Sequence, residues 1–281
     1  MQASPADMAQ VQRAISKRIH KLNRQPDGQD HFGIELPEGL QGDYPFEWSD
    51  AGMPKDIQRK YQKRSWNIRR SWNRLELYAP ELLKHRDTPY SVFEMSTAHG
   101  GMLEVCRHFG HSILGNDYLN FTMGQSKGQG AVHRELNAEI DDRDVDDYNL
   151  PIPKDGEALS EWCYRPIIES MQIPMSLFDG GKVPYPLEDK GHDYLFCMQA
   201  IEHYCHPDHW DEIIAEFCRI SRRAIIIYLN RVPKHLDHQQ DYVDAFDAAR
   251  NRLRNWNQNG FECTNVQLRF QQALGFKLTA V

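Results

Sequence analysis

The chain has no C-x-x-C pair. Its six cysteines (Cys106, Cys163, Cys197, Cys205, Cys218 and Cys263) are scattered, which argues against a disulfide framework or a structural zinc site and suits a reducing cytoplasm. The amino-terminal residues are polar and lack the apolar core of a secretory signal. The longest apolar run, Ala224 to Leu229, is far too short to span a bilayer. The expectation is a cytoplasmic protein with no membrane partner. An excess of positive charge is also missing. The net charge is -7, which argues against a general nucleic-acid binder. The acidic run Asp142, Asp144 and Asp146 lacks the glycine and glutamate of a calcium loop, with Asp147 and Pro153 in their places. No internal repeat is present. What the chain does have is 281 residues, 40% of them apolar, and six tryptophans. That is enough for one sizeable α/β domain with an extension.

Apolar spacing predicts an amphipathic helix from Asp7 to Leu22, ended by Pro26-Asp27-Gly28. An ordered loop over 29–54 precedes a second helix from about Lys55, with Tyr61, Ile68, Trp72 and Leu75 on one face. Between Lys55 and Arg74 that helix carries eight Lys or Arg against one acid, Asp56. It reads either as a solvated face or as a contact for an anionic substrate or nucleic acid. After Pro89 strands and helices alternate, as a βαβ sheet requires. Strands are predicted at Val92–Ser96, Ser112–Asn116, Ile173–Phe178, Tyr194–Gln199 and Ala224–Leu229. The last is apolar throughout, as a strand buried on both faces should be. Helices are predicted at Gly101–Phe109, around Ser160–Met171, from Trp210 with Asp208 as its cap, and around Tyr242–Trp256. Cys263–Phe270 and Phe276–Val281 read as a closing strand pair with Gly275 in the turn. Residues 121–158 form an irregular insertion.

The first strand and its loop run Glu94-Met95-Ser96-Thr97-Ala98-His99-Gly100, an acid followed at steps of two by small residues. Small residues between a strand and a helix let backbone N–H groups approach a ligand closely. The pattern resembles the acid-x-Gly-x-Gly-x-Gly signature of class I S-adenosylmethionine (SAM) dependent methyltransferases, with Ser96 and Ala98 replacing two glycines. Asp117, 23 residues beyond Glu94, ends the second strand, where a carboxylate can accept from two ribose hydroxyls. Phe178-Asp179 followed by Val183-Pro184-Tyr185-Pro186 is similar to the family's Asp-x-x-x-Leu-Pro-Phe segment. Asp193-Tyr194-Leu195-Phe196 leading to Glu202-His203 resembles the strand before the Glu-His pair of the ubiquinone and menaquinone C-methyltransferase branch.

The resemblance covers residues 90–230 well, the carboxyl-terminal part in outline, and residues 1–89 not at all. It implies a Rossmann-like, mostly parallel seven-stranded sheet with helices on both faces over 90–281, preceded by a helical extension or lid over 1–89. It implies SAM as cofactor, with its amino-acid end at Glu94, Ser96, Ala98 and Gly100, its ribose at Asp117 and its adenine amine at Asp179. Gln199, ending the fourth strand, is placed with the cofactor. Glu202 and His203 are the candidate catalytic pair. His203 has two readings, a general base for the acceptor or a structural partner of the neighbouring loop. The expected acceptor is a small molecule or a glycan.

Three rival functions stand beside this reading. A nicotinamide dehydrogenase would need G-x-G-x-x-G, and here Ser96 and Ala98 stand at two of its three glycines. A nucleic-acid methyltransferase is motivated by the Arg- and Trp-bearing helix at 55–74, but the Asn-Pro-Pro-aromatic motif that amino-directed enzymes of that kind place after the fourth strand is missing. A non-catalytic SAM-binding protein is motivated only by the two missing glycines. The ligand-rich stretch Glu202 to His209 matches no metal-site spacing, so no metal is expected.

Overall fold

The computed structural model describes residues 35–48, 55–117, 162, 164–232, 236–269 and 271–281. Its frame is a sheet of seven strands: β1 (Ser91–Met95), β2 (Ser112–Gly115), β3 (His192–Met198), β4 (Ser221–Tyr228), β5 (Asn257–Gln258), β6 (Phe261–Arg269) and β7 (Gln272–Ala280). They are ordered β2-β1-β3-β4-β7-β6-β5. The pairings from β2 to β4 are parallel, and those of β4 with β7, β7 with β6 and β6 with β5 are antiparallel. The sheet is thus parallel in its core and closed by an antiparallel edge.

Side-chain alternation splits the core in two. Val92 of β1, Tyr194 and Phe196 of β3, and Ala224, Ile226 and Tyr228 of β4 pack on one face. Their neighbours Phe93, Leu195, Cys197, Ile225 and Ile227 pack on the other. Successive strand residues point to opposite faces, so a strand covered on both sides must be apolar at every position. The first face is covered by α1 (Lys55–Tyr61), α2 (Arg64–Tyr78), α3 (Gly101–His108) and α4 (Arg165–Ser170), and the second by α5 (Trp210–Ile220) and α6 (Gln240–Arg254). No described helix is long and apolar enough to cross a membrane.

Several expectations need correction. The helix foreseen from Lys55 is two helices. At the break Lys63 is extended (φ -91°, ψ 91°), and Arg64 turns inward to pair with the buried Glu104. The strand foreseen over Ile173–Phe178 is reduced to one parallel bridge, Met175 beside Gly115. Pro174 has no N–H to extend the ladder. The side chain of Asn116 bonds the carbonyls of Ser176 (3.0 Å) and Phe178 (3.1 Å) instead. Asp208 does not cap α5. A 3-10 turn over Pro207–His209 intervenes, and it is the His206 side chain that accepts from the Asp208 N–H. The helix around Tyr242–Trp256 is present, and the part of the Ser160–Met171 helix that can be described is α4. The Asp7–Leu22 helix and the 121–158 insertion lie outside the described residues.

Gly275 is not in a turn either. It lies within β7, opposite Tyr228 on β4 and Gln267 on β6. A Cβ at Gly275 would stand 1.7 Å from the Tyr78 hydroxyl oxygen. Tyr78 is fully buried and donates to Gln267 Oε1 at 2.6 Å, so the glycine marks a close approach. Gly275→Ala is expected to destabilise by about 1–3 kcal/mol through overpacking. Adding Tyr78→Phe, which removes the nearest clashing atom, should recover part of the loss. An unchanged melting temperature for Gly275→Ala would mean that Tyr78 is not held over this position.

Candidate functional site

The chain runs from β1 to β2 on one side and later returns to β3 on the other. That reversal opens a crevice at the carboxyl ends of β1 and β3, where open α/β sheets bind ligands. The loop after β1 has an unusual backbone. Ser96 (φ 51°), Ala98 (φ 51°) and Gly100 (φ 70°) all lie in the left-handed region. Only glycine enters that region freely, and other residues cost on the order of 1 kcal/mol there. The two non-glycines are held by their neighbours. The Ser96 and Tyr204 hydroxyls are 2.6 Å apart, and the Ala98 N–H donates to Asp117 Oδ2 at 3.1 Å. Between them Thr97 is tied to β2 through Asn116. Gly100 could not be replaced easily, because a Cβ would meet Ile173 Cδ1 at 2.1 Å.

The carboxylates predicted from the sequence converge on this crevice. Glu94 is buried, and its Oε2 has no hydrogen-bond partner among the described residues. Burial pushes its pKa well above the usual carboxylate range; the nearby Arg74 cation opposes this and Asp117 adds to it. Asp117 is buried where β2 ends. Asn116, holding the carbonyls of Ser176 and Phe178, brings the Asp179 segment to the same edge. Asp179 Oδ1 accepts from the Gly181 N–H at 2.8 Å.

Glu202 and His203 occupy a 3-10 turn just beyond β3, and their environments differ. Glu202 is buried, and its Oε1 accepts from the Asn230 N–H, joining this turn to the end of β4. Burial raises its pKa from the ordinary 4.5 to about 7, against the opposing pull of the Asn230 N–H. The His203 side chain is exposed. Protein crowded around it still lowers its pKa, and Lys60 adds to the shift. Gln199 takes a left-handed backbone (φ 62°). Its side-chain oxygen accepts from Arg74 at 2.7 Å and its amide donates to Asn230 at 2.6 Å.

Sequence reasoning missed Tyr204, Arg74, Tyr228 and Arg269. Tyr204 bridges the Ser96 loop to Gly180-Gly181: a Cβ on Gly180 would meet its ring at 2.9 Å, and one on Gly181 its carbonyl oxygen at 2.6 Å. No local spacing in the sequence marks that role. Arg74 is different, because Arg70, Arg74, Leu77 and Tyr78 recur at helical steps and share one helix face. That face, with Gln199, Tyr228 and Arg269, lines a cavity of about 190 Å³ beside the crevice. The Arg74 guanidinium lies 5.7 Å from the centre of the Tyr228 ring. Among the described residues, no group of three or more His, Cys, Asp or Glu is placed to hold a metal ion.

No family model matches the chain, and no curated protein matches its sequence. Solved structures do match by shape. The chain is similar to the PH0226 protein of Pyrococcus horikoshii at 13% identity, with 75% of this chain and 92% of that one covered and a TM-score of 0.44. It is similar to the magnesium protoporphyrin IX methyltransferase of Synechocystis with bound SAM at 12% identity, with 83% and 89% covered and a TM-score of 0.40. A SAM-dependent methyltransferase of Aquifex aeolicus matches at 16% identity, with 74% and 93% covered and a TM-score of 0.33.

Proposed function

We propose that this chain is a SAM-dependent methyltransferase acting by direct transfer on a small-molecule or glycan acceptor. One observation carries the reading: the loop after β1 keeps a glycine-like backbone at Ser96, Ala98 and Gly100, the three positions where the resembled signature has glycine. The two substitutions that motivate a non-catalytic protein therefore leave the loop's conformation intact. The residues also fit the cofactor's chemistry. The unpartnered buried oxygen of Glu94 suits the ammonium of the amino-acid end, since a cation there offsets the cost of a buried carboxylate. Asp117 would hold the ribose hydroxyls and Asp179 the adenine amine. The finer resemblance to the quinone C-methyltransferase branch rests on Glu202-His203.

Bound SAM supplies a methyl group made electrophilic by its sulfonium. The chain's task is then alignment and exclusion of water. Ser96, Ala98 and Gly100 hold the loop open to a ligand, and Tyr204 braces that loop against Gly180-Gly181. Gln199, fixed from both sides by Arg74 and Asn230, faces the cavity where the acceptor would sit. Glu202 positions the β3 and β4 ends through Asn230. His203, exposed and largely neutral at pH 7, can take a proton from a hydroxyl or amine acceptor. Among the described part of residues 1–89, α2 would wall the acceptor's space with Arg70, Arg74 and Leu77.

Titration of the full chain with SAM and with S-adenosylhomocysteine tests this reading. Both should bind, and a ligand at about 100 times its dissociation constant should stabilise the fold by roughly 2.7 kcal/mol. Asp117→Ala should weaken both by at least roughly tenfold, about 1.4 kcal/mol. No heat and no thermal shift at millimolar ligand would overturn the assignment.

A further inference from the structure

The cavity beside the crevice is built around positive charge. Arg70 and Arg74 reach it from one face of α2, and Arg269 from the end of β6. No Asp or Glu lines it among the described residues. Arg70 makes no hydrogen bond or ion pair with any described residue. Arg74 is bonded to a neutral amide, Gln199, and Glu94, the acid whose charge acts on it, is driven by burial towards its neutral form. Burial, then the charge of Arg70, lowers the Arg74 pKa to about 10, so it stays protonated at neutral pH. Like charges sharing a half-buried space repel, and an opposite charge placed among them is correspondingly favoured. Guanidinium groups present a planar fork that suits carboxylate and phosphate oxygens.

Size and polarity narrow the occupant. A cavity of about 150 Å³ binds benzene, so about 190 Å³ accommodates one ring and a small substituent. Tyr78, Tyr228 and Leu77 supply apolar surface beside the arginines. We propose that this cavity binds the anionic group, carboxylate or phosphate, of a small acceptor carrying a single ring. Calling the occupant an acceptor rests on the methyl-transfer reading; its being a small anion does not. An extended polyanion is disfavoured by the net charge of -7.

The test uses the full chain with phenyl phosphate, benzoate and benzamide as probes in a ligand-observed NMR titration. Either anion should bind at least roughly tenfold more tightly than neutral benzamide, a difference of about 1.4 kcal/mol. The tighter of the two anions identifies the group. Arg70→Gln and Arg269→Gln should each remove most of that preference, and Arg269→Lys should keep part of it. Arg74 is left unchanged because it serves Gln199 as well. Benzamide binding as tightly as the anions in the unaltered chain would overturn the proposal, whether or not the variants fold. So would displacement of the probes by single-stranded RNA, with binding that falls steeply as salt rises. S-adenosylhomocysteine, titrated separately, keeps the two readings apart. Anion preference without nucleoside binding sinks the methyltransferase and spares the cavity, and the converse does the reverse.

Discussion

Replacing Arg64 with alanine should destabilise the protein by about 3–5 kcal/mol, the usual consequence of leaving one member of a buried ion pair alone. Arg64 and Glu104 side chains are 5% and 2% exposed, with a closest approach of 2.5 Å. The guanidinium also donates to the carbonyls of Gln41 (2.6 Å) and Gly39 (3.4 Å). One side chain therefore ties α2 to α3 and to the segment over 35–48. Its loss strands three acceptors at once. Glu104 already has one oxygen, Oε1, without a partner among the described residues, and burial raises its pKa against the pull of Arg64. The double variant Arg64→Met with Glu104→Leu removes both charges at similar volume and should lie much closer to the unaltered chain, as buried pairs replaced by apolar groups often do. Urea unfolding midpoints would measure both effects. A loss below about 1 kcal/mol for Arg64→Ala, the scale of an exposed pair, would mean that the pair is hydrated.

A second large effect is expected from Glu202 as pH changes. Its pKa in the folded chain is about 7, against an ordinary 4.5. Between those values the folded chain retains a proton that the unfolded chain has released. Stability therefore falls as pH rises through this window, and the contribution amounts to about 3 kcal/mol once both states are ionised. Glu202→Gln keeps an acceptor for the Asn230 N–H without a charge to desolvate. It should be more stable than the unaltered chain above pH 7, and the two should converge towards pH 4.5. Parallel stability curves over that range would show that Glu202 is hydrated and that its bond to Asn230 does not keep it buried. If His203 alone serves as the base, the variant should also retain turnover.

The parts legible in the sequence obey local rules. Ile225, Ile226 and Ile227 announce a strand covered on both faces because each face of a strand must find its own apolar partner. The acid and small residues from Glu94 to Gly100, and Asp117 after the second strand, mark the crevice because a strand-turn-helix places its chemistry at fixed spacing. Where the reading failed, the deciding partner was distant in the chain. Gly275 has the composition of a turn, but Tyr78, 197 residues earlier, stands over it within a strand. The helix from Lys55 looks continuous until Glu104 draws Arg64 inward. Pro174 and the reach of Asn116 shorten a strand that hydrophobicity alone would extend.

The alternation of strand and helix, the apolar run of β4 and the small-residue loop were thus determined by the sequence itself, through periodicity and side-chain size. Only the tertiary structure decided that Ser96 and Ala98 adopt glycine's backbone, since Tyr204 and Asp117 must be in place to hold them there. It alone assembled Arg70, Arg74 and Arg269 around one cavity, because α2 and β6 meet only when the antiparallel edge closes the sheet. A motif carries its own geometry, whereas a pocket depends on contacts whose spacing along the chain has no period to read.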